Sequence, residues 1–200
     1  LDGVGFDHGA QYFKVRDPRF RRVVDVWVES GQVLPWRGKV GRVADGTVLE
    51  EPDRGLGFVG VPGMNAVGKA LAAGLSVRHG TRVETLERDG PDWVLRSDTG
   101  ETLGTFDALV VAVPAPQAVP LLAPVAPELA DRAAGIDYAP AWAAMLEFDA
   151  PLGLSADGLF FDDAVLSWAA RNGAKPQRTG EAWVLHATPA WTRSHLDATP

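Results

Sequence analysis

A mixed α/β (α+β) fold is predicted by three features of this 200-residue sequence. Residues 18–30 carry a helical apolar stripe, and residues 82–106 read as a three-stranded antiparallel meander. The stretch FDALVVAVPAPQ (106–117) then holds six consecutive apolar residues closed by Pro114-Ala115-Pro116. A continuous apolar run ended by prolines reads as a strand covered on both faces. Ligands in open α/β sheets sit beyond the carboxyl ends of such strands, so residues 113–117 are expected to form a ligand-facing edge. A meander feeding straight into a buried parallel strand predicts a composite sheet, not a plain sandwich.

The composition bounds the function. A hydrophobic content of 46% supports a core for one large domain or two small ones. The net charge is −7 and no basic block occurs, which argues against nucleic acid or an anionic membrane as a partner. The absence of cysteine excludes disulfides, thiolate catalysis and Cys-ligated metals. It also fits a reducing compartment, and a cytoplasmic location is the expectation. Residues 108–127 form the least charged window, but the five prolines within it would break a membrane helix. The chain opens at Leu1 without a methionine and is expected to be a fragment of a longer protein.

Taken in order, GFDHGAQYF (5–13) comes first. Its glycines bracket Asp7-His8 and lead into Gln11-Tyr12-Phe13. Such glycines let the backbone pass close to a ligand or another segment, or simply make a turn into a strand. Asp7 and His8 suggest half of a catalytic triad, but no serine occupies a G-x-S-x-G elbow. Asp17-Pro18 then starts a helix as N-cap and first helical residue. Phe20, Val23, Val24, Trp27 and Val28 form its apolar stripe, Arg19, Arg21, Arg22 and Asp25 its solvated side, and Gly31 its stop. Residues 32–58 are read as short strands punctuated by glycines. VGVPGM (59–64) is read as a turn into a second helix buried through Met64, Val67, Leu71 and Leu75.

In the meander, Val83, Leu86, Trp93 and Leu95 are expected to be the buried side chains. The second half reads as strands over 142–148, 159–161, 165–169 and 183–187, with tryptophans at 142, 168, 183 and 191. Indoles fill cores, and a sheet bearing several can also wall a flat aromatic ligand. Residues 170–176 read as a polar loop. His186 lies in an apolar strand, as a core histidine or a working one. No second histidine stands at metal-ligand spacing, so no metal site is expected.

Taken together and in order, FDHGAQYF, RDPRF, VGVPGM, FDALVVAVPAPQ, WAARNGAKP and WVLHAT followed by HLD resemble the bacterial renalase-like FAD-dependent oxidoreductases. These lie within the flavin-containing amine oxidase superfamily, and the resemblance runs through nearly the whole chain. It implies a fold of the p-hydroxybenzoate hydroxylase type: a Rossmann-like FAD-binding domain built from discontinuous pieces plus a mixed-sheet substrate domain. Residues 1–12 and 59–124 are expected in the first, and 13–58 and 125–200 in the second. The resemblance places Gln11 and Tyr12 by the flavin, the backbone of Val83 toward the adenine end, and Ala112, Val113 and Pro114 along the cofactor groove. Asn172 and His186 match substrate-facing positions and, with Tyr12, form the expected catalytic set.

The implied cofactor is FAD. The implied reaction is oxidation of dihydro-isomers of NAD(P)H to NAD(P)+, with oxygen as acceptor and hydrogen peroxide as product. An amine oxidase of the same fold is the alternative, and a non-catalytic binding domain a third reading. Substrate and oxygen are the expected partners. Oligomeric state is not specified. The family's G-x-G-x-x-G loop, which seats the FAD pyrophosphate at a helix N-terminus, has no match here, and neither has its C-terminal glycine-rich segment. The 200-residue chain alone is therefore expected to bind FAD poorly and to be inactive.

Overall fold

The computed structural model describes residues 4–50 and 55–199. In chain order the elements are α1 (Pro18–Glu29), β1 (Val33–Trp36), β2 (Val40–Ala44), β3 (Thr47–Glu50), β4 (Gly57–Gly60) and α2 (Ala66–Ala72). Then come β5 (Val83–Asp89), β6 (Asp92–Ser97), β7 (Thr102–Phe106), α3 (Ala115–Leu122) and α4 (Pro127–Ala134). The chain closes with β8 (Ala143–Phe148), β9 (Gly158–Phe161), β10 (Leu166–Arg171), β11 (Glu181–Ala187) and α5 (Pro189–Ser194). They divide into two compact units, Leu1–Leu75 with Pro140–Pro200, and Ser76–Ala139. Packing thus follows different lines from the functional division expected at residues 12/13, 58/59 and 124/125.

In the first unit, α1 starts and stops as the sequence expects. The Asp17 carboxylate accepts from the N–H groups of Arg19 and Phe20, and Pro18 takes the first helical position. At the far end Gly31 adopts φ +73°. Its N–H bonds the Val28 carbonyl at 3.1 Å, and that of Gln32 reaches Trp27 at 2.9 Å, a Schellman closure. A Cβ in this backbone conformation crowds the following carbonyl. Gly31→Ala is therefore expected to lower the unfolding free energy by about 1–2 kcal/mol, read from urea titrations of the two proteins.

Only Val24 of the expected stripe is fully buried; Trp27 and Val28 pack partly beside it, whereas Phe20 and Val23 remain exposed. Val24 meets Val33 and Phe58, so α1 covers the antiparallel ribbon β1–β4. Phe13 extends that ribbon through two 2.9 Å backbone bonds with Phe58. The second helix, α2, differs from expectation. Leu71 and Leu75 are exposed and no α2 residue is buried. Val67 alone among the four expected side chains joins this core, at its margin.

The six-stranded sheet runs β3-β2-β9-β10-β11-β8, with β2 and β9 parallel and the other pairs antiparallel. The four strands read from the tryptophan-bearing half lie here, within a residue or two of the expected ends. Alternation along a strand sends Trp183 and Leu185 to one face and Val184 and His186 to the other. On the first face Trp183 clusters with Ala156, Leu159 and Ala169, flanked by Val43, Phe148, Phe161 and Leu185. The second face carries Phe160, Trp168 and His186, cross-strand neighbours in register. Residues 5–12 lie over this face.

The second unit holds the expected meander β5-β6-β7. Its buried apolar side chains are Leu86 and Val94, while Val83, Trp93 and Leu95 are half-buried. The largest correction concerns residues 108–113, which form no strand. Val110 is 86% exposed, and Leu109, Val111 and Val113 instead line a cavity of about 540 Å³ with Trp93, Leu122 and Tyr138. A doubly covered strand needs a neighbour at its edge for its N–H and C=O groups. Among the described residues the sheet ends at β7, and α3 and α4 offer side chains but no edge. The prolines that argue against a membrane helix are tolerated in short ones: Pro116 and Pro127 sit in first turns, and Pro120 within α3. No described helix is long and apolar enough to cross a membrane.

Candidate functional site

In the first unit, residues 5–12 are tied down by a buried cluster of charged and amide groups. Asp7 is its centre. Carboxylate Oδ1 accepts from the Met64 N–H at 2.8 Å, and Oδ2 accepts from Arg178 Nη2 at 2.6 Å and Lys175 Nζ at 3.2 Å. The Asp7, Lys175 and Arg178 side chains are only 6%, 0% and 4% exposed. Arg178 also donates to the carbonyls of Gly60 and Pro176. Lys175 Nζ further donates to Gln11 Oε1 at 2.8 Å and to Asn172 Oδ1 at 3.2 Å. The polar loop expected from the sequence thus lies between β10 and β11 with its charged side chains buried. A 3₁₀ turn at Asn172–Ala174 folds it inward. Gly173 permits this, since a Cβ there would fall 1.8 Å from the Gly180 carbonyl oxygen.

Tyr12 follows this cluster along the chain. Its ring lies 5.2 Å from that of Trp36 and 6.2 Å from that of Trp168. Both indoles are seated on glycines: a Cβ would meet Trp36 at 2.1 Å from Gly38 and Trp168 at 2.5 Å from Gly158. Trp36 Nε1 and Trp168 Nε1 are buried donors without an acceptor among the described residues. Buried polar groups are nearly always paired, so these two indole N–H groups stand out among the described residues.

Of the residues expected to do the chemistry, Tyr12 closes the 5–12 segment, and Asn172 and His186 both contact that segment. Asn172, with no exposure, donates from Nδ2 to Gly5 O at 2.6 Å and accepts from the Asp7 N–H at 3.4 Å. Half-buried His186 meets the His8 carbonyl through Nε2 at 2.9 Å. Gln11 gives its amide hydrogens to the carbonyls of Asp7 and Gly9 and its oxygen to Lys175. Val83, Ala112, Val113 and Pro114 belong to the second unit. There Val113 lines the cavity and Ala112 and Pro114 are exposed. Sequence reasoning missed Trp36, Lys175 and Arg178. A glycine two residues after Trp36 is the one local hint; nothing near Lys175 distinguishes it from a surface lysine.

Burial drives the Lys175 ammonium down to about 8 from an ordinary 10.5, and Arg178 adds to the effect, against the opposing pull of Asp7. Below about 8 the lysine carries its proton in both folded and unfolded chains. Between about 8 and 10.5 the unfolded chain binds more protons, so this group favours the folded state increasingly as pH rises. The stability of the wild type relative to Lys175→Met is thus expected to increase by roughly 3 kcal/mol from pH 7 to pH 10.5. Denaturant midpoints across that range measure it, and parallel curves for the two proteins would contradict it.

The groups present fit one end of a flavin. Its ring system is flat and rich in hydrogen-bond acceptors, matching an aromatic box with two unpaired indole donors. Its pyrophosphate finds no comparable seat among the described residues. Lys175 and Arg178 are spent on Asp7, and α3 opens with Pro114-Ala115-Pro116, two of which lack an N–H. The family model for flavin containing amine oxidoreductases matches residues 37–184, and the chain belongs to that family. FAD is the cofactor this assigns. A crystal structure from Exiguobacterium sp. 255-15, provisionally assigned as a protoporphyrinogen oxidase, shares the fold with TM-score 0.52 and 18% identity. The match covers 68% of this chain and 31% of that one, so the chain spans about a third of that protein's length.

Proposed function

We propose that the protein to which this chain belongs is a renalase-like FAD oxidoreductase. It oxidises dihydro-isomers of NAD(P)H to NAD(P)+, and oxygen receives the electrons as hydrogen peroxide. The observation supporting this reading is the aromatic group of Tyr12, Trp36 and Trp168, whose two indoles each carry a buried N–H without an acceptor among the described residues. Bound FAD supplies the two-electron carrier between substrate and oxygen.

In this reading Tyr12 and Gln11 form the corner beside the flavin ring, the Val83 backbone faces the adenine end, and Ala112, Val113 and Pro114 follow the cofactor groove. Residues 1–12 and 59–124 contribute to the FAD-binding domain, and 13–58 and 125–200 to the substrate domain. His186 orients the substrate from the sheet face. Asn172, with both ends of its amide committed to Gly5, Asp7 and Lys175, acts by holding the 5–8 backbone in place. No side chain has to remove a proton, because a dihydropyridine gives up a hydride carrying its own electron pair. One solvent proton completes the balance as oxygen takes up two electrons and two protons.

Anaerobic mixing of the full-length flavoprotein with dihydro-isomers of NAD(P)H is expected to bleach the flavin, while primary and secondary amines leave it oxidised. Bleaching by amines alone would replace this reading with an amine oxidase, which the family's own description favours as the second possibility. The 200-residue chain is expected to bind FAD weakly when titrated by absorbance, and stoichiometric tight binding would overturn that part.

A further inference from the structure

Building on the assignment of Tyr12 to the flavin ring, we propose that Lys175 is a positioning residue. Its ammonium fixes Gln11 and thereby holds the adjoining Tyr12 ring between Trp36 and Trp168. An ammonium has three hydrogens, and here each has one acceptor: Asp7 Oδ2, Gln11 Oε1 and Asn172 Oδ1. The three acceptors belong to two segments, residues 7–11 and the loop after β10, which are also joined by the Asp7–Arg178 pair and by the Asp7 N–H on Asn172.

Gln11 is the link to the site. Its Nε2 is engaged by the carbonyls of Asp7 and Gly9, and its Oε1 by Lys175, so the amide has one permitted orientation. It is 6% exposed, and the next residue is Tyr12. Burying a lysine is costly, and a methionine would fill similar space without a charge to desolvate. Orientation of the three acceptors is what the charged group adds. The charged groups facing Lys175 are Asp7 on the 5–12 segment and Arg178 on its own loop, while Gln11 and Asn172 are neutral. Loss of one proton leaves two hydrogens for three acceptors, so the Tyr12 corner should loosen as Lys175 titrates.

The test records the near-UV circular dichroism of the tryptophan band from pH 6 to 10, and the flavin absorbance bands of the FAD-loaded full-length protein over the same range. Wild type is expected to show a transition centred near 8 in both signals. Lys175→Met is expected to lose it, and so is Gln11→Met, which leaves the Lys175–Asp7 pair intact. A transition that persists in Lys175→Met, or in Gln11→Met should the lysine variant fail to fold, overturns the proposal. A dichroism transition in a protein that takes up no FAD supports the role of Lys175 and refutes the flavin assignment instead. FAD uptake with no transition in either signal refutes the positioning role alone.

Discussion

Replacing Asp7 with alanine is expected to cost the folded state about 3–5 kcal/mol, the largest effect of any substitution in the cluster. Among the described residues the carboxylate is the only anion paired with Lys175 and Arg178, and all three side chains are nearly or fully buried. Removing it strands two like charges together, and the Met64 N–H loses its acceptor as well. Asp7→Asn should be milder, since an amide oxygen can still accept from Met64. Unfolding by denaturant at pH 7 gives both values. If Asp7→Ala lost under 1 kcal/mol, the ion cluster could not be the buried arrangement described here.

Trp168→Ala follows, with an expected loss of about 3–5 kcal/mol from the emptied volume. This indole is 7% exposed, lies 4.5 Å from Phe160 between ring centres, and forms one wall of the Tyr12 box. Trp168→Phe separates packing from hydrogen bonding. It should recover most of the stability, yet weaken FAD binding by the full-length protein about as much as the alanine change does, because both lack the indole N–H. FAD affinity equal to wild type in Trp168→Phe would mean that the orphaned donor does not serve the cofactor.

How far the sequence predicts this structure depends on whether the deciding information is local. The ends of α1 are legible because Asp17, Pro18 and Gly31 act within one turn of themselves. The tryptophan-bearing strands are legible because alternation repeats along each of them. Residues 108–113 are misread for a physical reason: an apolar run declares a tendency to be covered but not which edge will pair with it. The site is legible only in part. Asn172 and His186, singled out through the family resemblance, contact the segment that leads to Tyr12, but Lys175 and Arg178 look like ordinary solvated cations. Their burial depends on Asp7, which lies 168 and 171 positions earlier.

That separation also governs when the site can come into being. The meander β5-β6-β7 joins neighbours across short turns and can form while synthesis continues, whereas the Asp7 contacts wait until residues 175–178 have left the ribosome. Until then the lysine and arginine stay hydrated and the amino-terminal stretch has nothing to grip. The anchoring of Tyr12 thus comes after the meander, and a nascent chain halted before Arg178 would have a formed meander but no anchored Tyr12.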